Sequence, residues 1–163
     1  MKNYNDSPLY FAWGETIGYT KEQIDNGERI FEHEHYKFGP DENNPTKYNK
    51  TDGLTTLELE DDAAHVNMGG DWYMPTKEQF EELIKYTTHQ EGECDGINGS
   101  FLISPNNQKI FFPNLCFYTN QCPTINSMDK IGGFWISDIN EKNTKNAWYC
   151  YYGLQVHGVI NNK

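Results

Sequence analysis

Leu59–Leu83 reads LEDDAAHVNMGGDWYMPTKEQFEEL, and its capping chemistry divides it into two helices joined by one short crossing. Asp61-Asp62 place acidic side chains at the start of a short helix, Asp62-Ala63-Ala64-His65-Val66, where the positive end of the helix dipole favours them. Gly69-Gly70 supply the positive φ that ends it. Trp72-Tyr73-Met74 then reads as a buried crossing, and Thr76 with Gln79 forms a capping box behind Pro75 that opens the second helix. On that helix Phe80, Leu83, Ile84 and Thr87 recur with the 3.6-residue period, while Glu81 and Lys85 are expected to pair at i,i+4 on the other side. The apolar stripe has to be covered by another layer.

The chain around this stretch has 163 residues, enough for one domain with a real core and too few for two. Thirteen basic against 24 acidic residues give a net charge of −11, which would repel a nucleic-acid backbone or an anionic lipid surface. No run approaches the roughly 18 apolar residues of a membrane span. Met1–Asp6 is too polar to begin a signal peptide, so the chain as given carries no address. It fits a protein made in the cytosol, a mature product, or a domain of a longer secreted chain. The four cysteines, Cys94, Cys116, Cys122 and Cys150, lack CxxC spacing, which argues against a zinc knuckle or a redox pair. Free thiols are the plain reading, and a Cys116–Cys122 bridge is the alternative in an oxidising compartment.

In chain order, residues 1–8 read as a loose lead-in and Leu9–Trp13 as a first strand closed by Gly14. Residues 19–50 are polar and broken by Gly27, Gly39, Pro40 and Pro45, a long surface excursion anchored by Tyr19, Phe31, Tyr36, Phe38 and Tyr48. Within it, Glu32-His33-Glu34-His35, if extended, would point both imidazoles to one side. Without further ligands in sight, a solvated loop is the better reading, and no metal or cofactor site is assigned. Gly92–Gly99 reads as a turn region. Ser100–Ser104 and Lys109–Phe112 follow as a hairpin reversed at Pro105–Gln108, then Phe134–Ser137 and Ala147–Tyr152 as two further strands. In the last of these Trp148, Cys150 and Tyr152 share one face and Tyr149 and Tyr151 the other.

The run Asp61–Leu83 resembles the signature of the Fibrobacter-type major paralogous domain, a family with the C-type-lectin-like fold related to formylglycine-generating enzymes. Further matches come in the family's order. Tyr10-Phe11-Ala12-Trp13-Gly14-Glu15 is similar to its opening YYAWGE, and Thr51-Asp52-Gly53-Leu54 precedes the acidic cap. Gly99-Ser100-Phe101, Ile110-Phe111-Phe112-Pro113, Gly132-Gly133-Phe134-Trp135 and Asn146-Ala147-Trp148 follow. Tyr73 departs from the family, which commonly has Arg before Met-Pro-Thr. The resemblance implies a single α+β domain over 1–163 with two helices on a short, mainly antiparallel sheet and long irregular loops. At the chain end Tyr151–Val159 matches the family's final strand after a deletion, the preferred reading, or is the hairpin turn of a chain whose closing strand is missing.

Signatures of catalysis are scarce: G-x-S-x-G, H-E-x-x-H, the P-loop and G-x-G-x-x-G are all lacking. Related oxidases use cysteines late in the chain, and Cys150 is the only such candidate, with no cysteine close by in sequence. Helix capping explains Asp61-Asp62 without an acid-base role, and the calcium-ligand motifs of lectins with this fold do not occur. The remaining signal is an aromatic and amide-rich surface: Asp138, Asn140, Asn143, Asn146, Tyr149, Tyr151, Gln155 and His157. In some relatives this region binds ligand, and in phage-linked members it is diversified by mutation at adenines, though an AT-rich genome explains the asparagines as well. The expectation is therefore a non-enzymatic module that recognises an extracellular or cell-surface glycan or protein, gaining avidity as a homo-oligomer or on a virion or cell surface. The rival expectation is an assembly or decoration module of a phage particle or fibre, and an oxidase of the formylglycine-generating type comes third.

Overall fold

The computed structural model describes residues 9–41, 44–113 and 134–139, together with 155–156 and 159–160; for these last two pairs, His33 and Phe134 the backbone alone is described. It is a mixed α+β structure. The helices are α1 (Lys21–Asp25), α2 (Ala63–Met68) and α3 (Lys77–Tyr86), with single 3-10 turns at His33–His35 and Leu59–Asp61. Strand β1 (Trp72–Tyr73) separates α2 from α3, and β2 (Thr88–Cys94), β3 (Ile97–Ile103) and β4 (Lys109–Pro113) form an antiparallel sheet in that order. Two short pairs complete the strands among the described residues: β5 (Phe134–Trp135) runs parallel to β6 (Gln155–Val156), and β7 (Val159–Ile160) pairs antiparallel with β1.

The caps expected in the central stretch form. Asp62 accepts the His65 N–H at 2.9 Å and starts α2, and its other oxygen accepts the Met74 N–H at 2.8 Å, so one buried carboxylate ties the helix to the strand that follows. Gly69 ends α2 at φ 71°. Thr76 and Gln79 make both arms of the capping box on α3. Ala63 and Ala64 are small enough for α2 to lie directly on the core, where Trp13 meets Tyr48 edge-on at 5.0 Å and Tyr48 meets Phe38 at 5.2 Å. Phe31, Phe38 and Tyr48 are buried as the anchors of the 19–50 excursion, and Tyr36 donates to the Trp13 carbonyl at 2.9 Å.

Several expectations are corrected. Among the described residues Leu9–Trp13 forms isolated bridges in place of a strand: Tyr10 pairs antiparallel with Tyr19, and Phe11 is itself a bridge residue. Tyr10, Phe11, Ala12 and Trp13 are all buried, so the segment lacks the one-face alternation of a sheet strand. The excursion contains α1, opened by Thr20 and Gln23 in the same capping box as α3. His33–His35 is a 3-10 turn closed by His35 N–H to Glu32 O at 3.0 Å, so the extended geometry that would align its two imidazoles is not adopted. The Gly92–Gly99 turn region holds a turn at Asp95-Gly96, both at positive φ (52° and 80°), as a two-residue type I′ turn requires, but the residues on either side are paired as the inner half of the β2–β3 hairpin. Its glycines allow close approach, since a Cβ on Gly99 would stand 2.4 Å from the Phe112 carbonyl oxygen. On α3, Glu81 pairs with Lys77 at 3.6 Å, while Lys85 lies over the Tyr86 ring.

Asp61 is the largest local correction. The sequence reading makes it a second cap, whereas its side chain is the centre of an ionic cluster. Tyr48 donates to Asp61 at 2.7 Å and Lys47 at 2.6 Å, and Lys37 binds the other oxygen. Asp62 alone has the register to cap α2, which leaves Asp61 facing the lysines of the excursion. At the chain end, Val159–Ile160 does supply a pairing strand, to Trp72–Tyr73. The 1–8 lead-in and the expected strand 147–152, with its Trp148, Cys150 and Tyr152 face, lie outside the described residues.

Candidate functional site

Residues 134–139 are threaded between parts of the chain far away in sequence. Trp135 Nε1 donates to the Phe11 carbonyl at 2.8 Å and Trp13 Nε1 donates to the Ile136 carbonyl at 2.9 Å, a reciprocal clasp of two indoles. Ser137 N–H reaches Pro75 O at 2.9 Å, Leu57 N–H reaches Ser137 O at 2.9 Å, and Ile139 N–H reaches Thr55 O at 2.8 Å. These bonds fix Trp135 and Ile136 beside the start of α3.

A groove of about 470 Å³ opens there. One wall is α3, through Phe80, Leu83 and Tyr86; the other is the β3–β4 turn and β4, through Pro105, Ile110 and Phe112; Pro75, Trp135 and Ile136 close one end. Phe80 meets Phe112 edge-on at 6.2 Å. The stripe on α3 is thus only partly covered among the described residues: Ile84 stays 47% exposed and Tyr86 58%, with Ile110 across the groove at 45%. The polar side chains along it are Gln79, Glu82, Thr87 and Ser104. Three of these are engaged within the protein: Gln79 donates to the Tyr73 hydroxyl at 2.9 Å, Thr87 to the Leu83 carbonyl at 2.7 Å, and Ser104 to the Gln108 carbonyl at 3.1 Å. Such a surface presents rings and aliphatic groups and suits contact with another apolar surface.

Of the eight candidate binding residues, Asp138 is described in full. Its Oδ2 accepts the Lys77 N–H at 2.6 Å and its Oδ1 the Thr56 hydroxyl at 2.7 Å. The carboxylate therefore sits at the positive end of α3 and joins it to the 54–57 segment, a tie that sequence alone could not reveal because its partners lie 61 and 82 residues away. Gln155 is placed by its backbone in β6, paired with Phe134. Asn140, Asn143, Asn146, Tyr149, Tyr151 and His157 lie outside the described residues. The groove itself was half legible, since the stripe on α3 and the Ile110-Phe111-Phe112 strand are both plain in the sequence and only their juxtaposition is not.

Two other constellations bear on chemistry. Glu58, Glu60 and Asp61 converge closely enough to share a cation, and the Lys47 ammonium stands among them at 2.6, 2.9 and 2.6 Å. Burial pushes the Asp61 carboxyl up, but hydrogen bonds from Lys37, Lys47 and Tyr48 outweigh it and hold it below its ordinary range. The same bonds to Asp61, Glu58 and Glu60 raise Lys47 well above the usual lysine value. On the sheet, His89 Nε2 lies 2.8 Å from Ser100 Oγ, the spacing of a base and a nucleophile. Ser100 is 2% exposed, so a substrate atom has no open path to that oxygen in this structure.

No family model, no curated protein and no solved structure matches this chain. Among the described residues no helix is long and apolar enough to cross a membrane.

Proposed function

We propose that this chain is a non-catalytic recognition module of C-type-lectin-like architecture, which binds an extracellular or cell-surface protein or glycan through its C-terminal third. The observation that carries the reading is the apolar groove, whose end is closed by Trp135 and Ile136 where that third of the chain enters the fold. Its lining offers shape and apolar contact, and most of its polar groups are already spent on the protein's own hydrogen bonds. That is the character of a docking surface whose apolar anchors supply the affinity. The resemblance of residues 9–148 to the major paralogous domains points to the C-terminal third, of which Trp135 and Ile136 line the groove.

A second reading has its own support. Tyr86 and Ile110 line the groove and are each close to half exposed, as is Ile84 on the same helix, an apolar surface that also suits packing against a neighbouring subunit in a particle or fibre. Both readings are tested by an oligomerised form of the protein screened against glycans and surface proteins, beside a Tyr149→Ala/Tyr151→Ala variant shown to be folded by circular dichroism. A specific hit lost in the variant supports recognition through the C-terminal third. A folded protein without a hit moves the assignment to the assembly module, and a hit indifferent to the variant moves the binding site off Tyr149 and Tyr151.

A further inference from the structure

We draw no further inference here: the strongest candidate, the polar cavity of about 320 Å³ lined by Glu15, Tyr19, Arg29, His35 and Lys37, carries nothing because Glu15 is already bound by Arg29 and Lys37 by Asp61, which leaves nothing in it that points to a ligand's chemistry.

Discussion

At the scale of single residues, Asp61 is the group on which the polar side of the core depends. Its side chain is 4% exposed and neutralised by two lysines that stay partly in water. Removing its charge takes this carboxylate from Lys37 and leaves Lys47 with Glu58 and Glu60, so Asp61→Asn is expected to cost about 2 kcal/mol in urea unfolding, below the roughly 3–5 kcal/mol of a fully buried pair. Because the folded carboxyl is held below the ordinary 3.8, the unfolded chain binds the proton more readily. The stabilisation is complete above that value and disappears as pH falls from it through the folded-state value. The asparagine variant should therefore be less stable near neutrality and lose this part of the acid sensitivity; equal stability at both ends would show that the cluster contributes nothing. Tyr48 runs the other way. Burial first, then its bond to Asp61, pushes its phenol up to about 12, so its contribution is intact below the ordinary value of 10 and is lost as pH rises through about 12. The difference in tyrosinate absorbance between wild type and Tyr48→Phe should show one late-titrating phenol, and a difference curve centred near 10 would overturn this.

At the scale of elements, helix ends were the most legible part of the sequence. Thr76 and Gln79 act within one turn of each other, and such local bonds need no knowledge of the fold. Thr20 and Gln23 carry the same signal, and only the polar composition around them hid α1. The β2–β3 hairpin was missed for a related reason. Gly92, Gly96 and Gly99 read together as a turn region, whereas only Gly96 lies in the turn, and Gly92 and Gly99 are spaces within the paired strands into which Phe101 and the β4 backbone fit. What could not be read was any tie between distant segments, and Asp138 is the clearest case. As a cap on α3 and a partner of Thr56, it should lose about 1–2 kcal/mol of stability on substitution by alanine. Thermal unfolding of Asp138→Ala separates the two roles open to this residue. A lowered midpoint marks a structural tie, and an unchanged midpoint would return Asp138 to the ligand surface alone.

For the whole molecule, the double indole clasp ties together two segments whose bonded residues lie 123 and 124 positions apart in the chain. Trp13 and Trp135 each donate to the other's segment, so the first and last thirds of the described fold are joined through ring N–H groups that are at least partly withdrawn from water. The α+β class follows from patterns within the sequence. The groove does not, because it arises where α3, β4 and β5 come together from three parts of the chain. Its rim offers the means to test recognition with little risk to folding, since Tyr86 and Ile110 are 58% and 45% exposed. Tyr86→Glu/Ile110→Glu should unfold close to the wild-type midpoint, as surface substitutions usually do within about 0.5 kcal/mol. The decisive measurement is the affinity of this double variant for a ligand captured by the oligomerised wild type. Docking along the groove predicts a loss of at least about tenfold, the effect of removing a modest interface anchor. Unchanged affinity in a folded variant would contradict it.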